Sequence, residues 1–332
     1  MKFIRLILLI LHLGILGLLL GTLLNAYVPP KIFPWFNLLS LGFPVLMMGY
    51  IVLIFFWIFS WKKRAFIFML AGLVFLNPVK RIINFSGDQK RKADLKIVSF
   101  NIKGGTMGAE EVGRYIKSKD ADVILLQEGR GGDIPLLDDY KKVNSSGGVA
   151  TILTKHKILN TKKIDFPDRG EIAPAVMADI EVKGRTYRFI SVYLHPFKFE
   201  RNMVTLNGNT SANEEKMKDI VRRLIPTFKI HQEQVELIKS VIDNSPYPVV
   251  LTGDFNSVPN SYEYYHLSSG LDDAFVTAGK GSATSFHDYK FPIRIDYVFS
   301  SRSIRAVSYV VDRSVRISDH YPVISEFSLE NK

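Results

Sequence analysis

The chain has 332 residues, enough for one or two domains with hydrophobic cores, and it contains no cysteine, which excludes a disulfide framework, a zinc–thiolate site and thiol catalysis. Its net charge of +11 is uneven, because residues 1–93 hold eleven Lys or Arg against one acidic residue, whereas residues 94–332 hold 32 basic and 31 acidic residues. The balanced larger part does not predict a general phosphate-binding surface, so the basic charge alone does not indicate a nucleic-acid partner.

The first predicted elements are apolar helices. Residues 4–24 are almost entirely apolar and long enough to cross a hydrocarbon layer of about 30 Å. A second apolar run covers residues 38–60 and is followed by the sequence WKKR at residues 61–64. A third run, over residues 65–76, is short for a full span. A secretory signal peptide is the alternative, but its apolar run is typically only about 7–15 residues long. We expect residues 1–83 to form a transmembrane region of two helices and a short third segment that binds membrane lipids.

Basic residues beside these runs bear on orientation. Lys2, Arg5 and residues 62–64 favour a cytoplasmic N-terminus and an exported remainder, whereas the basic residues among positions 80–92 oppose export. The sequence leaves the side open, with a slight preference for placing the larger remainder of the chain on the extracytoplasmic side of a bacterial inner membrane. His12, inside the first run, is expected to hydrogen-bond between helices.

Residues 84–94 are polar and predict a linker. Beyond them, short β-branched runs alternate with helical patterns, which predicts an α/β or α+β domain over residues 95–332. The helical patterns cover residues 109–119 and 214–242, the latter expected to be interrupted at Pro226. The predicted strands cover residues 95–102, 122–128, 149–154, 176–182, 187–194, 247–256, 295–300 and 323–329.

Polar side chains occur where several of these strands begin or end, and α/β folds place their sites at strand ends. Each has a plain alternative as a cap, a turn residue or a buried and satisfied side chain. Their recurrence at strand ends nevertheless favours a common site. They are Asn101, Glu128, Asp254, Asn256, Asp296, Asp319 and His320.

The series SFNIKGG, LLQE, SVYL, GDFNS, RIDYVF and SDHYPV resembles the endonuclease/exonuclease/phosphatase superfamily, in that family's order, over residues 95–328. With its N-terminal apolar segments, the chain is similar to a membrane-anchored bacterial branch. The resemblance implies the DNase I-like fold, a four-layer sandwich of two packed, mostly antiparallel β-sheets flanked by helices. It also implies a hydrolase that cleaves phosphate esters with a divalent metal, Mg²⁺ or alternatively Mn²⁺. The carboxylate and amide residues at the strand ends agree with such a metal, because hard cations prefer oxygen ligands.

The resemblance assigns a role to each strand-end residue. Glu128 is the expected first metal ligand, with Asn101 and Asp319 beside it, directly or through water. The expected catalytic residues would instead act on water and phosphate.

Among those catalytic residues, Asp254 would orient or deprotonate the attacking water, and Asn256 would donate to a phosphate oxygen. Asp296 would hold His320 by one ring nitrogen, and His320 would contact phosphate or transfer a proton.

Three further residues are candidates for contacts with the substrate. Many members of the family carry His in the strand that reads SVYLHP here; by register Tyr193 takes that position, and His195 is the substitute because it points the same way. Arg294 could grip phosphate from the start of its strand, and a solvent-exposed Arg is the equal alternative.

Two functions remain open at this stage. The first is a membrane-anchored phosphodiesterase or phosphomonoesterase; the second is a catalytically inactive, membrane-tethered binding or scaffold module of the same fold. Within the enzyme hypothesis, a sphingomyelinase-like lipid substrate, nucleic acid and a small phosphorylated metabolite are all compatible with the family, and the charge balance disfavours nucleic acid. The sequence does not define the oligomeric state.

Overall fold

The computed structural model describes residues 2–60, 63–87, 89, 91–129, 134–166, 174–199, 203, 210–288 and 293–329. Trp61 and Lys62 of the basic cluster lie outside the described residues. The described chain forms a helical N-terminal region and a larger two-sheet domain. The helical region contains α1 (Lys2–Leu23), α2 (Trp35–Phe59), α3 (Arg64–Gly72) and α4 (Leu76–Lys80).

Within the described residues, α1 with its following turn and α2 are both long and apolar enough to cross a membrane. The third predicted segment is shorter still, because α3 gives way to a 3-10 turn at Leu73–Phe75. The helices run antiparallel. A Cβ at Gly21 near the end of α1 would meet Leu39 of α2, whereas the Trp57 indole at the other end of α2 donates to His12 Nδ1 over 3.0 Å. His12 therefore bonds between helices as predicted, but as the acceptor, whereas the sequence favours a donor role.

The larger domain begins with β1 (Ile83–Phe85). It continues in chain order with β2 (Leu95–Asn101), α5 (Ala109–Lys119), β3 (Val123–Gln127), β4 (Lys141–Asn144), β5 (Ala150–Thr154), β6 (Lys157–Ile164), β7 (Ala175–Val182), β8 (Arg185–Tyr193), α6 (Thr210–Asp243), β9 (Val249–Asp254), α7 (Tyr262–Leu267), β10 (Asp272–Asp273), α8 (Ala274–Ala278), β11 (Lys280–Ser282), β12 (Asp296–Ser300), β13 (Ile304–Val311) and β14 (Val323–Leu329).

The strands form two six-stranded sheets, in the orders β10-β12-β9-β8-β7-β6 and β13-β14-β2-β3-β5-β4. The pairs β2–β3 and β8–β9 are parallel and the other pairs in these sheets are antiparallel. One hydrophobic core joins the facing sheets, with Ile97 and Val250 among its members. A second core lies between one sheet and α6, and a third between the other sheet and α5. These layers confirm the predicted sandwich.

Two details differ from the sequence prediction. The first residues of the predicted linker lie in β1, which pairs with β11, and the buried Asn84 amide donates to the Phe275 carbonyl over 2.9 Å. The predicted break at Pro226 is wrong, because α6 runs through that position.

Candidate active site

Strand register brings the polar strand ends to one edge of the sandwich. In the first sheet, Tyr193 of β8 is level with Asp254 of β9, and Asp254 is level with Asp296 of β12. In the second sheet, Asn101 of β2 is level with Gln127 of β3, which Glu128 follows. Because the two sheets face each other, these residues can meet across the gap between them.

The chain turns sharply at three of these strand ends. Lys103, Glu128 and Asn256 have φ values of +47°, +54° and +46°, a left-handed conformation that side chains other than glycine rarely adopt. Such residues cluster at functional sites, where the surrounding structure holds them. Gly253 has φ of +146°, and a Cβ there would lie 2.0 Å from the Val192 carbonyl oxygen. The GDFN motif therefore needs its glycine because β8 and β9 approach closely at the site.

Asn101 links the two halves of the site. Its fully buried amide donates to Glu128 Oε1 over 2.9 Å and to Asp254 Oδ2 over 3.0 Å. The Tyr193 hydroxyl donates to the same Glu128 oxygen over 3.0 Å. Burial, together with the charges of Glu128 and Asp254, raises the pKa of Tyr193, so this hydroxyl stays protonated and remains a donor.

His320 lies between two buried carboxylates. Its Nδ1 is 2.8 Å from Asp296 Oδ2, and its Nε2 is 3.7 Å from Asp254 Oδ2. Burial alone would lower the pKa of His320, but the charges of Asp296 and Asp254 raise it to about 10. Burial raises the pKa of Asp254 in turn, although the His320 charge opposes that shift. The protonated imidazole is therefore placed between two buried carboxylates, within hydrogen-bond distance of one of them.

Asp254 and Asn256 are coupled as their spacing predicts. The Asn256 backbone N–H donates to Asp254 Oδ1 over 2.8 Å, which fixes that carboxylate. The Asn256 amide donates to the Leu194 carbonyl over 2.9 Å. Asn256 therefore faces the site while also holding the end of β8.

The SDH motif is tied to the end of β2. The Ser318 hydroxyl donates to the Asn101 carbonyl over 2.7 Å, and the Lys103 ammonium lies 2.7 Å from Asp319 Oδ2. Burial acts to raise the pKa of Asp319, but the charges of His320 and Lys103 lower it overall. Sequence reasoning missed Lys103, although the quoted motif SFNIKGG contains it. A lysine just after a strand is ordinarily solvated, and nothing local identifies its partner.

A cavity of about 490 Å³ opens over these groups. The predicted residues that line it are Glu128, Tyr193, Asp254, Asn256, Asp319 and His320. Lys103 and Ser257 also line it, and the buried Ser257 hydroxyl has no hydrogen-bond partner within the described ranges. Asn101 and Asp296 instead support the cavity-lining carboxylates and imidazole from behind.

Two predicted substrate residues lie elsewhere. His195 does not line the cavity; its backbone N–H donates to Gln234 Oε1, and its carbonyl contacts His231. The prediction for Arg294 is wrong in both of its forms, because this residue is neither at the cavity nor solvent-exposed. Its guanidinium is 3% exposed and makes two bonds of 2.8 Å to Asp273. A buried guanidinium needs such a bidentate carboxylate, which the sequence around Arg294 does not reveal.

The donor set fits a hard divalent cation. The Glu128 and Asp319 carboxylates line the same cavity, and a positive charge, the Lys103 ammonium, already lies against Asp319. Oxygen donors of this kind suit Mg²⁺ or Mn²⁺. A second group of ligand atoms, on Asp254, Asp296 and His320, lies within 4.8 Å. That group fits a metal less well, because His320 Nδ1 already lies 2.8 Å from Asp296 Oδ2.

Comparison with known proteins agrees with this geometry. The model of the Endonuclease/Exonuclease/phosphatase family matches residues 98–320, and the model described as Domain of unknown function (DUF8431) matches residues 5–82. A comparison with curated proteins gives no match.

Solved structures share the fold at low identity. Humanized D. rerio TDP2 carrying 14 mutations is 17% identical with a TM-score of 0.53, over 70% of this chain and 98% of that chain. An endonuclease/exonuclease/phosphatase family protein from Leptotrichia buccalis C-1013-b is 18% identical with a TM-score of 0.51, over 71% of this chain and 100% of that chain. At such identities the likeness shows the fold alone.

Proposed function

The chain belongs to the endonuclease/exonuclease/phosphatase family, and on that premise we propose that it is a membrane-anchored, divalent-metal-dependent hydrolase of phosphodiesters or phosphomonoesters. One observation carries the proposal. The His320–Asp296 pair, the Asp254 carboxylate and the carboxylates of Glu128 and Asp319 meet at one cavity, from strands far apart in the sequence. A scaffold would have no need to gather so many costly buried charges.

The geometry supports a role for each group. Asp254, held by Asn101 and by the Asn256 backbone, is fixed to orient and deprotonate an attacking water. His320, protonated and oriented by Asp296, donates to a phosphate oxygen as negative charge grows there. The neutral Tyr193 hydroxyl lines the same cavity and donates its proton to Glu128, which helps to fix that carboxylate.

Glu128 and Asp319 would hold the metal, with Asn101 fixing the Glu128 carboxylate. A bound Mg²⁺ or Mn²⁺ would polarise the phosphoryl group and neutralise the leaving oxygen. Lys103 would then pair with the substrate or with the remaining Asp319 oxygen, since it borders the same cavity.

The activity test uses purified full-length protein in detergent micelles, with bis(p-nitrophenyl) phosphate and p-nitrophenyl phosphate as substrates. We expect turnover with Mg²⁺ or Mn²⁺, loss of turnover with EDTA, and a fall of about 100-fold or more in Asp254→Asn. Asp243→Asn, at an exposed carboxylate that ends α6, is the matched control and should keep the wild-type rate. Equal rates in the two variants would refute the assigned site; Mg²⁺ binding without turnover would favour the scaffold alternative.

Membrane anchoring is supported by where the apolar side chains point. In the most apolar 18-residue stretch of each helix, only 11% of the stretch in α1 and 22% of that in α2 is buried. The side chains of Phe3, Ile10 and Val45 are 74%, 62% and 68% exposed. A core helix of a water-soluble protein buries such residues, so we propose that these helices lie in lipid.

The antiparallel helices support an extracytoplasmic catalytic domain. Asn25 and Arg81 both contact Asn260, at the domain end of the helices, whereas Lys63 precedes α3 and stands with the N-terminus at the opposite end. Basic residues at the end of the helices opposite the two-sheet domain favour a cytoplasmic location for that end. The chain has no cysteine, so single variants can be labelled without background. A membrane-impermeant maleimide added to intact cells should label Ser269→Cys and spare Lys63→Cys; the reverse pattern would overturn the orientation.

Nucleic acid is the second candidate substrate. D. rerio TDP2 complexed with single strand DNA product is 18% identical over 70% of this chain, with a TM-score of 0.50. That ligand belongs to that protein, and the balanced charge of residues 94–332 does not favour a polynucleotide here.

A further inference from the structure

The cavity over the active site has two unlike sides. One side carries the carboxylates, the imidazole and the hydroxyl described above. The other side is apolar, and its wall comes from separate parts of the chain: α2, the segment after β8, α6, and the segment after β9. Its apolar members include Leu41, Phe197, Phe199, Leu224, Phe228 and Val258.

The first wall belongs to the membrane-anchoring region. Asn37, Ser40 and Leu41 lie in the first two turns of α2 and line the cavity. Leu41 is 39% exposed, Ile32 just before α2 is 75% exposed, and Trp35 at the start of α2 is 47% exposed. Apolar and aromatic side chains at the end of a membrane-spanning helix are typical of the level of lipid headgroups. The cavity therefore extends from the catalytic carboxylates to the surface of the proposed bilayer.

The second and third walls are mutually packed aromatic and aliphatic side chains. Phe197 stacks on Phe199 with ring centroids 5.5 Å apart, and meets Phe228 of α6 edge-on at 5.6 Å. Leu224 lies one turn before Phe228 on α6 and is also buried. An apolar surface of this kind gains nothing from a small polar phosphate ester but would shield a hydrocarbon chain from water.

A buried polar network fixes these walls to each other. Asn37 of α2 accepts from the Tyr262 backbone over 2.7 Å and donates to Glu263 Oε2 over 3.1 Å. Glu263 and His231 of α6 are both fully buried and lie 2.7 Å apart. His231 Nε2 then reaches the His195 carbonyl over 2.7 Å, next to the segment that carries Phe197. A buried charged pair is costly unless every member is satisfied, so this network holds α2 in a defined position beside the site.

We propose that the substrate is an amphiphile, a lipid whose phosphate ester reaches Asp254 and His320 while its hydrocarbon chain lies between α2, α6 and the segment carrying Phe197. This inference rests on the proposed function. In the reaction, a water oxygen bonds to phosphorus and the ester P–O bond breaks; the proton that the water gives up balances the proton that the leaving oxygen gains. The apolar wall takes no part in that step and acts on affinity for the substrate.

The test compares substrates that differ only in chain length. Diacylglycerophosphates and diacylglycerophosphocholines with butanoyl, hexanoyl and octanoyl chains are assayed below their critical micelle concentrations. Glycerol 3-phosphate and glycerophosphocholine are the chain-free controls. Burial of one methylene group favours binding up to about fourfold. We therefore expect KM to fall by about two- to fourfold for each methylene that contacts the wall, with kcat little changed.

Variants of the wall test its position. Leu41→Asp, at a half-exposed site, and Phe228→Ser, at a buried one, should each lower kcat/KM for the octanoyl substrate at least about tenfold relative to the chain-free control. Leu159→Asp, at an exposed position on the edge strand β6, is the matched control and should keep the wild-type dependence on chain length. Thermal unfolding of each variant identifies any loss of fold, and Leu41→Asp keeps the test informative if Phe228→Ser unfolds.

The outcomes separate this inference from the proposed function. Turnover of bis(p-nitrophenyl) phosphate with no dependence on chain length would overturn the lipid inference and leave the phosphoesterase intact. A higher kcat/KM for a single-stranded oligodeoxynucleotide than for the octanoyl lipids would also overturn it. No turnover of any phosphate ester, with either metal, would refute the proposed function itself.

Discussion

The helical region and the two-sheet domain arrange polar and apolar side chains in opposite ways. In the helical region Phe3 and Ile10 point outward, whereas His12 and Asn37 are buried. In the two-sheet domain Phe189 and Val250 are fully buried, and polar groups collect at the strand ends. The difference is what the proposed membrane anchor predicts, with lipid around one region and water around the other, and the candidate active-site cavity is lined by residues of both regions.

The largest expected effect comes from the close approach of strands in the two-sheet domain. Gly253→Ala forces a Cβ to within 2.0 Å of the Val192 carbonyl oxygen, so β8 and β9 must separate. We expect a loss of about 4 kcal/mol or more in the free energy of unfolding, with loss of activity. Gly270→Ala has open space around its Cβ and a positive φ, and should cost only about 1 kcal/mol. Similar unfolding midpoints for the two variants would contradict the tight register at the site.

The next effect is on catalysis rather than on stability. Asp296→Asn leaves a side chain of similar size but removes the charge that orients His320 over 2.8 Å. We expect kcat to fall about 100-fold with little change in KM, because Asp296 does not line the cavity. Steady-state kinetics on bis(p-nitrophenyl) phosphate measure both constants, and an unchanged kcat would mean that His320 does not need this partner.

The contact between the helical region and the two-sheet domain can be removed at Asn37. Asn37→Ala leaves the Glu263 carboxylate short of one donor and the Tyr262 N–H without its acceptor. We expect a loss of about 1–3 kcal/mol in stability, measured by unfolding in detergent. Asn244→Ala, at an exposed position just after α6, should change the free energy of unfolding by no more than about 0.5 kcal/mol. If both variants behave alike, α2 is not fixed to the two-sheet domain by this contact.

The smallest effect is expected within the helical region. His12→Phe removes the acceptor of the Trp57 indole N–H, and polar bonds between membrane helices contribute about 0.6 kcal/mol on average. Leu13→Phe, at an outward-facing position that is 51% exposed, is the control and should be neutral. Unfolding by a denaturing detergent compares the two; a loss well above 1 kcal/mol for His12→Phe would mean that this histidine does more than join helices.

The strands that position the site were predictable because they are continuous apolar runs with a polar end. The strand β9, for example, is buried along its whole length and ends at Asp254. The strands β4 and β6 escaped prediction because they lie at sheet edges, where β4 is half-buried and β6 is largely exposed, so lysines replace the apolar alternation. The alternation of apolar and polar residues therefore identifies strands that are buried, and it does not identify exposed strands.

Partners distant in sequence were the part that could not be predicted. Arg294 was expected at the phosphate, but it finds Asp273 inside the protein, a pairing that only the folded chain reveals. Lys103 pairs with Asp319, which lies near the other end of the domain's sequence. The contribution of Asn37 and Leu41 to the cavity depends on a contact with Glu263, 226 residues away. The family model matches residues 98–320, so the resemblance could not have indicated a contribution from α2.

The most direct test of the account is the Mg²⁺ dependence of bis(p-nitrophenyl) phosphate hydrolysis by the wild-type protein and by Glu128→Gln. We predict that wild-type turnover needs the divalent cation, and that Glu128→Gln raises the half-saturating Mg²⁺ concentration by about tenfold or more, because the carboxylate lining the cavity is lost. Full turnover after metal removal, or the same Mg²⁺ dependence in both proteins, would contradict a metal-dependent reaction centre at these strand ends.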